Sequence, residues 1–90
     1  MTIQVDARGL RCPMPVLELA RAARVHPTGT VVTLLSDDPA AATDVPAWCR
    51  MLGHDLLGSG PAADGAGSAY VVRLGNRGAG NASAADSAPR

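Results

Sequence analysis

The chain has 90 residues, of which 47% are hydrophobic and 18% charged, and its formal net charge is zero. Those totals describe one small globular domain with a modest core, and they exclude a disordered chain or one built around membrane spans. Lysine is absent, and the balance of arginine against Asp and Glu removes the general footprint of a nucleic-acid binder, which needs clustered cations to displace counterions from phosphate.

Thr2 to Val5 alternates, with β-branched Ile3 and Val5, and predicts a short strand. Met1 to Asp6 has neither the basic region nor the long apolar run of a secretory signal. Ala7 to Arg11 is a connector turned at Gly9, and Val16 to Val25 reads as a helix. Two stripes recur along it at helical spacing: Leu17, Ala20 and Arg24, and Val16, Leu19, Ala20 and Ala23. His26-Pro27-Thr28-Gly29 ends it, because Pro27 cannot continue a helix and Gly29 permits the reversal.

Thr30 to Ser36 is a nearly continuous apolar run, which predicts a central strand flanked on both sides. Thr33 breaks it, and it is too short to cross a bilayer. Asp37-Asp38-Pro39 signals a helix start, a capping carboxylate followed by Pro at the first helical position. The helix runs to about Leu52, with Ala42, Val45, Cys49 and Leu52 on one face. Pro46 inside it predicts a kink, or a restart with Asp44 as a fresh cap. His54 to Leu57 and Ala69 to Leu74 are two further strands joined by the Gly-rich run Gly58 to Ser68. The order β-α-β-α-β-β gives an α/β (α+β) two-layer sandwich, two helices on one face of a mixed four-stranded sheet. Residues 1–75 form this domain; residues 76–90, rich in Gly, Ala and Ser, bury too little to offset their ordering entropy and are expected to be disordered.

The chemistry concentrates at Cys12-Pro13-Met14-Pro15. Prolines are tolerated in the first turn of a helix, where N–H groups lack intrahelical partners. The run therefore places Cys12 at the N-cap or beside it, with Pro13 at the first helical position and Pro15 at the third. A helix N-terminus favours an anion, and nearby arginines do the same, so a lowered thiol pKa is expected with Arg11 and Arg8 adjacent. A fall from ~8.5 to ~7 would raise the thiolate fraction at pH 7 from about 3% to about 50%, and the same field would hold a persulfide anion. Arg8 and Arg11 have two readings: solvated loop cations, or stabilisers of the thiolate that also meet an acidic rim on a partner.

Other chemistries at this cysteine fail on spacing. The fourth position of a C-x-x-C dithiol is Pro15. Cys12 and His26 stand at opposite ends of one helix, ~21 Å apart, and cannot share a metal; no metal and no cofactor are expected. Two cysteines are too few to staple a secreted domain, so a reducing cytoplasm and free thiols are expected. Cys49 reads as a small core residue and Trp48 as packing. His26 reads as a helix-end cation or surface residue, and His54 as structural or solvent-facing. Asp6 braces Arg8 or the turn, while Asp37, Asp38 and Asp44 read as helix caps.

Gly9-Leu10-Arg11-Cys12-Pro13-Met14-Pro15 resembles the G-L-x-C-P-x-P signature of the TusA/SirA-type sulfur carriers. Asp37-Asp38-Pro39 through Asp44-Val45-Pro46-Ala47-Trp48-Cys49 to Gly53-His54 resembles the second helix of that family, and the likeness extends from Ile3 to Leu74. The resemblance implies the sandwich also seen in the C-terminal domain of translation initiation factor 3. It implies that Cys12 accepts sulfane sulfur from a cysteine desulfurase or another sulfurtransferase and relays it to a protein acceptor. Routes in the family include tRNA thiolation, molybdenum-cofactor biosynthesis and sulfur oxidation. No direct nucleic-acid or membrane partner is expected. Two rival readings are a regulatory or RNA-binding module of the same fold, and a redox-sensing thiol.

Overall fold

The computed structural model describes residues 2–75. The expected disorder of residues 76–90 lies outside the described residues. The elements are β1 (Thr2–Asp6), α1 (Met14–Val25), β2 (Val31–Ser36), α2 (Ala41–Leu52), β3 (Asp55–Pro61) and β4 (Ser68–Arg73). The sheet order is β1-β2-β4-β3, with β1 parallel to β2 and the other pairings antiparallel. The expected β-α-β-α-β-β sandwich is the observed one, and β2 lies inside the sheet as its apolar run implied.

Alternation decides which face is buried. Val32 and Leu34 of β2 pair with Val72 and Tyr70 of β4, and all four are buried under the helices. On α1 the residues lost from solvent are Pro15, Leu19 and Ala22, with Val16, Ala20 and Ala23 half-buried beside them. Leu17, on the other stripe, keeps 47% of its surface. On α2 the buried residues are Ala41, Val45, Trp48 and Cys49. Among the described residues no helix is long and apolar enough to cross a membrane.

The turn chemistry departs from expectation at three places. The second helix begins at Ala41, not at Pro39, because Asp38 accepts the N–H of Ala40 and closes a tight turn first. Pro46 does not restart α2, which runs as one helix through it to an αL cap at Gly53 (φ 78°). The third strand continues to Pro61 where a loop was expected. Gly58, Ser59 and Gly60 pair through their backbones with Val71, Tyr70 and Ala69, and the register slips at Leu57, which stays exposed.

His54 is buried, with its ring stacked on Trp48 at a centroid distance of 4.5 Å. Its Nδ1 accepts the N–H of Gly75 at 2.9 Å, while Nε2 is buried without a partner among the described residues. Burial holds the imidazole below its ordinary value of 6.5, and Asp55 opposes the shift only in part. The unfolded chain therefore binds a proton that the folded one refuses, and stability falls as pH drops through about 6.5 towards the lowered native value. Urea unfolding should show a lower midpoint at about pH 5 than at about pH 7.5, where unfolded carboxylates are still charged. Equal midpoints would contradict the buried neutral ring.

Candidate functional site

The parallel pairing of β1 and β2 sends the loops that follow them out of the same end of the sheet. Residues 7–13 lead from β1 into α1, and residues 37–40 lead from β2 into α2. The first loop is laid against the second by carboxylates. Asp37 Oδ1 accepts the N–H of Gly9 at 3.0 Å, and Asp38 Oδ2 accepts the N–H of Cys12 at 2.6 Å. Gly9 takes φ 88°, the left-handed region that a residue with a side chain resists, and Leu10 closes the turn on the carbonyl of Ala7.

Cys12 sits exposed one residue before the N-cap of α1. Pro13 is that N-cap and Pro15 the second helical residue, so the two prolines stand one place outward from the expected positions, while Cys12 lies beside the N-cap as expected. The Met14 N–H is already bonded to the Arg11 carbonyl. Two prolines and one satisfied N–H leave the start of α1 short of the donors an anion would use.

The thiol has a different partner. Cys12 Sγ donates to Asp44 Oδ2 at 2.8 Å, reaching from the first loop to the first turn of α2. A carboxylate accepting the S–H bond favours the protonated thiol, and the negative charge beside it opposes ionisation. The Cys12 pKa is raised, first by the hydrogen bond to Asp44, then by desolvation, then by the charges of Asp44 and Asp38. The expected lowering is thus reversed.

The arginines explain why. The Arg8 guanidinium is bonded to Asp6 at 2.8 and 2.9 Å, to Asp64 at 2.7 Å and to the carbonyl of Ala66. It braces the end of β1 against the β3–β4 turn. The brace holds the Asp6 carboxyl at about 2, chiefly through the Arg8 side chain and then its backbone N–H. Arg11 is exposed, and its charge falls on Asp38, whose carboxyl is held low by the N–H groups of Ala40 and Cys12 first. A groove of about 440 Å³ lined by Gly9, Arg11, Asp37, Asp38 and Pro39 opens between the two loops.

Sequence reasoning read the three aspartates as helix caps and missed their part here. Asp37 and Asp38 bond the cysteine loop, and Asp44 bonds the sulfur. The signal lay in the topology: parallel first and second strands place both helix starts at one end, so a carboxylate in the first turn of one faces the start of the other. Cys49 is the small core residue it was read as, 2% exposed, and burial pushes its thiol up to about 11. Neither cysteine is in a disulfide. His26 follows the end of α1, at the opposite end from Cys12, and Trp48 is in the core.

The family model described as sulfurtransferase TusA matches residues 3–73.

Proposed function

Because the chain belongs to the TusA sulfurtransferase family, it is a sulfur carrier of the persulfide-relay type, and we propose that the sulfur it carries rides on Cys12. The observation that carries this reading is accessibility. Of the two thiols, Cys12 is exposed on a loop at the rim of the domain, whereas Cys49 is sealed in the core with its pKa pushed up to about 11.

The transfer needs no cofactor. The Cys12 sulfur attacks the outer sulfur of a donor persulfide, a new S–S bond forms at Cys12, and the donor's own S–S bond breaks. The donor cysteine leaves with that bonding pair, and the proton given up by Cys12 goes to it. The products are a Cys12 persulfide anion and a donor thiol, with no net oxidation. Delivery is the same exchange with an acceptor protein's cysteine as attacker. A cysteine desulfurase or another sulfurtransferase is the class of donor, and a reducing cytoplasm suits a carrier whose two thiols are free. Pro13 and Pro15 fix where the helix starts and so keep Cys12 outside it. Arg11, the exposed cation next to the sulfur, serves partner recognition, while Arg8 supports the loop through its carboxylate brace.

The test is to incubate the chain with a cysteine desulfurase and cysteine and to weigh it intact. One added sulfur, removed by a thiol reductant and mapped by peptide sequencing to Cys12, is the expected result. Sulfur mapped to Cys49 would refute the assignment, as would none on the chain with either a cysteine desulfurase or a persulfidated sulfurtransferase as donor.

A further inference from the structure

Among the described residues the sulfur donates its hydrogen bond to a carboxylate, which is an unusual neighbour for a nucleophile. Asp44 belongs to α2 and Cys12 to the loop before α1, so the 2.8 Å bond is a tertiary contact made only in the folded chain. We propose that Asp44 is a proton latch for Cys12, holding the empty carrier as a thiol and disfavouring retention of the loaded persulfide anion. The proposal rests on Cys12 as the sulfur-bearing group.

Two states of one atom meet the same carboxylate with opposite consequences. In the empty carrier the S–H has a proton to donate, and the bond to Asp44 stabilises it. A persulfide is more acidic than the parent thiol, so the loaded group is an anion with nothing to donate. Its terminal sulfur extends about 2 Å beyond Sγ, and the carboxylate now repels it. The latch therefore favours the unloaded form and tilts each exchange towards delivery. It also protects the idle thiol, since oxidants and alkylating agents attack the thiolate.

The other charges around the sulfur do not cancel this. Asp38 lies on the Cys12 backbone N–H and adds negative charge, and Asp37 stands on the neighbouring Gly9 N–H. Among the described residues Arg11 is the other cation of these two loops, and it acts on Asp38. Arg8 is held by Asp6 and Asp64. The direction of the Cys12 shift agrees with this geometry. A donor that loads this carrier must offset the carboxylates as it docks.

Two measurements test the latch. Alkylation of Cys12 followed against pH needs no sulfur donor, and so it separates failure of the latch from failure of the carrier assignment. The wild-type profile should have its midpoint above that of an ordinary thiol, ~8.5. Asp44→Asn should move it down and speed alkylation at pH 7 several-fold, Asp44→Glu should stay near wild type, and Asp38→Asn should move it less than Asp44→Asn. A wild-type midpoint at or below the ordinary value overturns the proposal whether or not the variants fold, and so do superimposable wild-type and Asp44→Asn profiles. In the second, sulfur-loaded wild type is mixed with an equal amount of empty Asp44→Asn and weighed at equilibrium. Most of the sulfur should end on the variant, and an even split or retention by the wild type overturns the claim about delivery.

Discussion

Cys12→Ser abolishes sulfur loading, and Cys49→Ala leaves it intact. The first half follows from what oxygen lacks: a serine cannot form the S–S bond in which sulfane sulfur is held. The substitution is otherwise conservative, because the hydroxyl can still donate to Asp44 and the backbone N–H can still meet Asp38. Since the side chain is exposed, little packing is lost, and the thermal transition should match that of the unaltered chain within experimental error. The second half follows from burial. Cys49 is 2% exposed and held neutral, so it is neither reachable nor nucleophilic. Intact-mass measurement after incubation with desulfurase and cysteine distinguishes the cases. Loading that survives Cys12→Ser but disappears with Cys49→Ala would move the function into the core and invalidate the site. The same pair bears on the rival reading as a redox-sensing thiol. A cysteine held as a thiol by a neighbouring carboxylate reacts slowly with peroxide, which disfavours a sensor and suits a carrier met by a dedicated donor.

The elements and the site differ in how far they could be read from the sequence, and the difference is one of range. A strand such as Val31–Ser36 announces itself by an apolar run, and a helix such as Met14–Val25 by its spacing and its first-turn prolines, because burial acts on each residue where it stands. The position of Cys12 at a helix start was local information of this kind, correct to one residue. Its electrostatics were not. Arg8 looked like a thiolate partner because it is four residues away in the chain, yet its guanidinium is taken by Asp6 and by Asp64, 56 residues further on. Asp44 looked like a cap because helix starts attract carboxylates, yet it reaches across to a sulfur 32 residues earlier. A pKa is set by whichever charges come within a few ångströms, and sequence neighbours are a poor guide to them once the chain turns. The aspartates are plain in the sequence, but their targets depend on two loops sharing one end of the sheet.

Leu19→Ala unfolds or nearly unfolds the domain, whereas Leu17→Ala is tolerated. Both leucines are on α1, two residues apart, and the two stripes read along that helix each claimed one of them. The packing decides between the stripes: Leu19 has no exposed surface and Leu17 keeps 47%. Truncating a fully buried leucine removes its transfer energy and leaves a cavity, a cost of about 2–5 kcal/mol. A domain of this size has about 5 kcal/mol of net stability, the low end of the usual range. The loss is therefore a large share of the whole, and at about 4–8 °C per kcal/mol the thermal midpoint should fall by at least ~8 °C. Leu17→Ala should change stability by less than ~1 kcal/mol, because nearly half of its surface is already in water. Urea unfolding of the two variants reads this directly, and equal midpoints would mean that α1 is rotated about its axis from the position described. Such a rotation would also redirect the start of the helix, and with it the loop that aims Cys12 at Asp44. The leucine in the core and the thiol at the rim thus report on the same helix orientation, so a Leu19→Ala domain that remained folded should lose part of the raised Cys12 alkylation midpoint as well.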